Sequence, residues 1–135
     1  MKHQVLIVDD YPDSAETASL LLSMLGHHCR HASTAREGLR LADELAPDVA
    51  ILDIGLPDMS GYELARALRR RLEGRQLYLA AVTGWGQPED HVKAMAAGFD
   101  HHVLKPADRS KLEQIIELAE RAFAVSLDPV GRAGG

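Results

Sequence analysis

Five residues in this chain carry side chains suited to one piece of chemistry, and each stands at the end of a short apolar run. Asp9 and Asp10 follow Val5-Leu6-Ile7-Val8. Asp53 follows Val49-Ala50-Ile51-Leu52. Thr83 follows the stretch from Leu77 to Val82, and Lys105, just ahead of Pro106, follows His101 to Leu104. Three carboxylates brought together repel one another and resist ionisation unless a cation sits among them. Hard oxygen ligands with room for water suit Mg²⁺. A hydroxyl and an ammonium opposite the cation would add a site for an oxyanion. The set therefore reads as a place for a phosphoryl group held between Mg²⁺, Thr83 and Lys105, and phosphoryl transfer asks mainly for positioning and charge neutralisation.

That chemistry requires the apolar runs to end side by side, so the elements between them matter. Runs of four to six apolar residues are the mark of strands buried on both faces. Helical spacing fills the gaps: Ala18, Leu22 and Leu25, with Gly26 as a stop; Ala35, Leu39, Ala42 and Ala46, with Ser33 or Thr34 as a cap and Pro47 as the end. The segment from His28 to Ala32 is a weak strand. Leu56-Pro57-Asp58-Met59-Ser60-Gly61 is turn chemistry, and Leu64, Leu68 and Leu72 line a third helix. Val92, Met95, Ala96 and Phe99 mark a fourth helix, and Leu112, Ile115, Ile116, Ala119 and Phe123 a fifth. Strand then helix, five times over, predicts an α/β domain, a (βα)5 doubly wound five-stranded parallel sheet with helices on both faces. Ligands in such sheets bind at the carboxyl ends of the strands, near the switch in strand order.

Composition narrows the class. The chain has 135 residues, 46% hydrophobic and 26% charged, ordinary figures for one globular domain. One cysteine, Cys29, cannot close an internal disulfide, and it reads as a half-buried small apolar residue. No apolar run approaches the roughly 18 residues of a membrane span. The N-terminal stretch meets two aspartates after four apolar residues and does not read as a signal peptide, so a cytoplasmic protein is expected. Fifteen basic against twenty acidic residues give a net charge of -5, with no global pull toward nucleic acid. The seven histidines make that charge soft below neutral pH.

Taken together, Val8-Asp9-Asp10, the run from Asp53 to Gly61, Thr83-Gly84 and Lys105-Pro106 resemble the receiver domain of two-component response regulators. The resemblance covers about residues 4 to 125. It implies a flavodoxin-like sheet of order 2-1-3-4-5, a receiver domain over residues 1–125, and a flexible tail over 126–135. It also implies roles. Asp53 would accept a phosphoryl group from a phosphohistidine on a sensor histidine kinase or a histidine phosphotransfer protein. Asp10, Asp53 and the backbone carbonyl of Gly55 would ligate Mg²⁺, with Asp9 acting through a bound water. Lys105 would pair with the phosphoryl oxygens, or with Asp53 before transfer. Thr83 would swing toward the phosphoryl group, and the bond before Pro106 would be cis. The expected output is a change in partner affinity or a phosphate relay, with no membrane insertion, no direct nucleic-acid contact and no separate substrate to turn over.

Four positions bear on how far the chain follows the family pattern. His102 stands where members carry Tyr or Phe as a rotameric switch, and Gly84 replaces a common Ala after Thr83. Trp85 and Gly55 occupy positions that tune how long the phosphoryl group survives. Met1 directly ahead of the first strand favours a free-standing regulator. The stretch from Thr83 to Gln87, with Ala97 to His102, is similar instead to receivers attached to hybrid kinases.

Other readings stand beside this one. Asp9 and Asp10 could simply begin a helix, Asp53 could be a turn residue, and Thr83 a strand-end hydroxyl. A haloacid dehalogenase-like phosphatase would use similar groups, but its Asp-x-Asp pattern after the first strand is here Asp9-Asp10-Tyr11. A pseudo-receiver would be expected to lack an acid or the Lys. A flavin-binding flavodoxin would need a phosphate loop after the first strand. The cluster His27, His28 and His31, and the pair His101-His102, place neighbours on opposite faces of a strand, which argues against a shared metal. The basic run Arg66, Arg69, Arg70, Arg71 and Arg75 reads as a solvated surface or a docking patch for an acidic partner.

Overall fold

A computed structural model describes residues 2–84 and 88–126 of the chain. Five strands and five helices alternate: β1 (Gln4–Val8), α1 (Pro12–Met24), β2 (His28–Ala32), α2 (Ala35–Leu45), β3 (Val49–Asp53), α3 (Gly61–Arg71), β4 (Tyr78–Thr83), α4 (Pro88–Ala96), β5 (His101–Leu104) and α5 (Arg109–Ser126). The strands form one parallel sheet of order β2-β1-β3-β4-β5, as the sequence implied. Helix α5 takes in Ser126, and the remainder of the expected tail, 127–135, lies outside the described residues, as does Trp85.

Strand periodicity splits the core in two. Leu6, Val8, Ala50, Leu52, Leu79 and Ala81 point to one face and pack against α2, α3 and the end of α4. Val5, Ile7, Val49, Ile51, Ala80 and Val82 alternate with them and pack against α1 and α5. Every residue of β3 and β4 is buried. That is why those strands read as unbroken apolar runs, whereas edge strand β2 does not.

Local signals set the helix starts. Thr34 Oγ1 accepts from the Glu37 backbone N–H at 3.2 Å, and Ser60 Oγ accepts from that of Glu63 at 3.2 Å. In both, a hydroxyl stands three residues before a glutamate at the helix N-terminus. Ala46, placed in α2 by spacing, instead adopts φ 49° and terminates the helix, its N–H bonded to the Ala42 carbonyl. Gly61, expected in the turn, is the first residue of α3.

Helix α4 departs furthest from its apolar pattern. Val92 and Met95 are 66% and 46% exposed, while Ala94, Ala97 and Phe99 are buried. The helix approaches the sheet through its small side chains, and the larger apolar ones face outward. The arginine run also divides. Arg69 folds back across the end of the sheet and donates to the carbonyls of Gly98 (3.0 and 2.7 Å) and Leu77 (2.7 Å) and to Asp100. Arg71 pairs with Asp43 at 2.6 Å. The sequence reading, a solvated surface or a docking patch for an acidic partner, missed both pairings, because their partners lie far along the chain.

Candidate functional site: an acidic cluster at the carboxyl edge of the sheet

The strand order reverses between β1 and β3, since the chain runs from β1 outward to β2 and then crosses to β3. Asp9 and Asp10 leave the end of β1 and Asp53 closes β3, so the switch point is flanked by acids. Parallel pairing of Val8 with Leu52, Asp53 with Val82, and Thr83 with Leu104 brings the remaining strand ends level with them. Asp9, Asp10 and Asp53 each offer a carboxylate oxygen within 4.8 Å of the others. Asp9 and Asp53 are buried, and Asp10 is exposed.

Lys105 supplies the opposing charge. Its Nζ lies 2.9 Å from Asp53 Oδ2 and 3.9 Å from Asp9 Oδ1. Lys105 follows β5, and its backbone N–H donates to the Thr83 carbonyl at 2.8 Å, which sets the end of β5 against that of β4. The Lys105–Pro106 peptide bond is cis, as the resemblance implied. The other Asp53 oxygen, Oδ1, accepts from the Gly55 N–H at 3.1 Å, and Asp9 Oδ1 accepts from the Tyr11 N–H at 2.9 Å. Both acids are thereby aimed by their own loops. Thr83 is buried at the end of β4. His102 is half-buried on β5, paired with Ala81.

The electrostatics follow from burial. Asp9 is pushed above its ordinary carboxylate range, because loss of water outweighs the Tyr11 N–H and the Lys105 charge, and the Asp53 charge pushes the same way. Burial alone would lower Lys105, but its hydrogen bond and charge interaction with Asp53, then the charges of Asp9 and Asp10, carry it upward. One ammonium therefore stands against three acids. The cluster retains an excess of negative charge and hard oxygen donors, a donor set that suits a hard divalent cation.

The structure brings Asp9, Asp10, Asp53, Gly55 and Lys105 together, and sets Thr83 at the adjoining end of β4 and His102 on β5. It also shows two supports that sequence reasoning missed. The Asp58 carboxylate accepts from the backbone N–H groups of Ala35 and Arg36, both at 2.9 Å, pinning the β3–α3 loop to the N-terminus of α2. Those two N–H groups hold the Asp58 carboxyl below its ordinary value. Gly61 brings α3 so close that its N–H donates to the Ile54 carbonyl at 2.8 Å. A proline-aspartate turn ahead of a Ser-x-x-Glu cap signals a tight loop, but not which helix end it reaches. A cleft of about 710 Å³ opens beside the acids, walled by Ile7, Ala18, Leu21 and Leu112 and floored by Asp53 and Lys105.

Five parallel strands in the order β2-β1-β3-β4-β5, with acids and a lysine converging at the switch point, define a flavodoxin-like α/β domain of the CheY type. The chain belongs to the response regulator receiver domain family, whose profile matches residues 5–117. It is 41% identical to the transcriptional regulatory protein KdpE of Mycobacterium tuberculosis over 102 residues, 76% of this chain and 44% of that one. It is 30% identical over 119 residues to a 14.6 kDa protein from the sodA1 3′ region of Leptolyngbya boryana, 88% of this chain and 91% of the relative. Among solved structures, a CheY-like receiver domain protein from Methanospirillum hungatei superposes with a TM-score of 0.80 at 31% identity, over 89% of this chain and 95% of that one. The chain thus spans less than half of KdpE and nearly all of the other two. It is a receiver domain of two-component signal transduction, and none of its described helices is long and apolar enough to cross a membrane.

Proposed function

We propose that Asp53 accepts a phosphoryl group from a phosphohistidine of a sensor histidine kinase or histidine phosphotransfer protein, in the cytoplasm. The observation that carries this reading is the Asp53 carboxylate itself: buried, within 2.9 Å of the Lys105 ammonium, and one of three acids whose oxygens cluster within 4.8 Å. An oxygen of Asp53 attacks phosphorus as the P–N bond to the donor imidazole breaks, and the imidazole leaves with the bonding pair. Mg²⁺, held by Asp10, Asp53 and the Gly55 carbonyl with Asp9 through water, would neutralise charge on the phosphoryl oxygens. Lys105 exchanges its bond to Asp53 for one to a phosphoryl oxygen. Thr83 offers its hydroxyl to another. Hydrolysis returns the carboxylate and releases inorganic phosphate, so the domain has no separate substrate and acts by altering partner affinity or relaying phosphate. His102 occupies the switch position on β5.

Intact-protein mass after incubation with acetyl phosphate and Mg²⁺ tests this. One added phosphoryl group, absent from Asp53→Asn and in the presence of a chelator, is expected. No addition, together with no stable beryllofluoride complex, would favour a pseudo-receiver that only binds partners. Turnover of a generic phosphomonoester would favour a phosphatase of the haloacid dehalogenase type.

A further inference from the structure

Helix α4 and strand β5 hold histidines that the phosphoryl chemistry does not use. His91 lies on α4 and His102 on β5, and their ring centroids stand 5.9 Å apart at an interplanar angle of 35°. The sequence reading set aside the adjacent pair His101-His102, because strand alternation turns neighbours apart. Tertiary folding supplies His102 with a different partner, from another element.

The spacing is compatible with a shared metal. An imidazole nitrogen sits about 2.0–2.1 Å from Zn²⁺, and the ring centre lies about 1 Å beyond it, so two imidazoles on one tetrahedral ion hold their centroids roughly 5–6 Å apart. Neither ring makes a hydrogen bond or ion pair among the described residues, so neither has its lone pairs committed elsewhere. Burial, then the neighbouring His91 charge, keeps His102 below its ordinary pKa, which favours the neutral ring that metals bind. The charge of Asp90, next to His91, acts in the opposite sense on His102, but its carboxylate does not converge with the two rings: the acids Asp9, Asp10 and Asp53 are the one such cluster of three among the described residues. His91 is exposed and His102 half-buried, leaving the remaining coordination positions open to water.

We propose that His91 and His102 form a two-histidine site for a zinc-class divalent ion bridging α4 and β5. Imidazole donors suit such ions, whereas Mg²⁺ takes oxygen ligands. The two sites on this domain would therefore sort cations by chemistry, one at the acidic cluster and one on the α4–β5 face. A bound ion would tie α4 to the strand that carries the switch position and shift any equilibrium there by its preference between the two states. The site itself does not depend on phosphoryl transfer to Asp53.

The test is a Zn²⁺ titration of the chelator-stripped full chain in excess Mg²⁺. Heat of binding is read alongside long-range ¹H–¹⁵N correlations of the histidine rings. One ion should bind, moving the ring signals of His91 and His102. His91→Gln and His102→Gln should each weaken binding about tenfold or more, since even residues that only orient a ligand cost that much. His28→Gln, at an exposed position on the far edge strand, should leave the affinity unchanged. His91 is exposed on its helix, so His91→Gln is expected to keep its thermal unfolding curve and remains informative should His102→Gln unfold. Binding that survives His91→Gln, or that shifts other histidine rings while those of His91 and His102 stay still, would overturn the proposal.

Discussion

Replacing Gly61 with alanine should dislodge α3 from the strand that carries Asp53. A methyl on Gly61 would lie 2.6 Å from Ile54 Cα and run into the Asp53 carbonyl oxygen. Carbon atoms rest about 3.5–4.0 Å apart, so the overlap is about 1 Å, and it is with backbone rather than a side chain that could rotate away. That backbone has little room to yield. Asp53 is in register with Val82, and the Ile54 N–H donates to the Val82 carbonyl at 3.3 Å. The N-terminus of α3 must move instead, straining the 2.8 Å bond from Gly61 to Ile54. Overpacking of this kind costs about 1–3 kcal/mol, and the gain from replacing a helical glycine returns about 0.5–1 kcal/mol. A net loss of about 1 kcal/mol lowers Tm by about 3–5 °C in a domain of this size. Thermal unfolding followed by circular dichroism measures it, with two control substitutions. Gly84→Ala meets nothing within 4 Å and should stay within about 0.5 kcal/mol of the parent. Gly26→Ala also meets nothing, but sits at φ +97° and should lose about 1–2 kcal/mol from conformation alone. A Gly61→Ala variant as stable as Gly84→Ala would refute the close-approach reasoning.

Three further outcomes follow from the same structure. Lys105→Met removes the only ammonium facing the acids among the described residues, so Tm without divalent ions should fall at low ionic strength, and added Mg²⁺ should raise it by more than in the parent; equal shifts would mean the lysine does not offset the cluster's charge. Ser60→Ala and Thr34→Ala each delete a cap and should cost about 1 kcal/mol, read as a shift in urea midpoint at constant slope; no shift in either variant would mean the hydroxyl does not cap its helix. Burial, the leading cause in each case, holds His27, His101 and His102 below their ordinary value of 6.5, so their charged forms are disfavoured in the folded state; stability should be intact above about pH 6.5 and decline as pH falls through that value, and a flat Tm between about pH 7 and 5.5 would contradict it.

Much of this protein can be read without coordinates, for a local reason. A strand buried on both faces must be apolar throughout, so Val49 to Leu52 and Leu77 to Val82 declare themselves, and the polar residue that ends each run is placed at the carboxyl edge of the sheet. Once five strand-helix units alternate, handedness and short connections bring those edges together. Asp9, Asp10, Asp53, Thr83 and Lys105 were therefore legible as one site, as was Thr34 as one of two candidate caps. What stayed hidden depends on pairs far apart in the chain. Arg69 reads as one of five surface arginines until the carbonyls of Leu77 and Gly98 come beneath it. His3, ahead of the first strand, gives no hint that it will be buried between Asp48 and Glu120, at 2.8 and 3.1 Å. The apolar spacing of α4 marked a helix but not its buried side, because periodicity reports which side chains are apolar, not which side of the helix the sheet reaches first. Asp58 on α2, Gly61 against Asp53 and His91 beside His102 belong to the same class. The sequence by itself determined the order of elements and the acids and lysine at their ends, because those are written in local patterns of solubility. The closeness of one helix to one strand, and the company each polar side chain keeps there, was decided only when the layers packed.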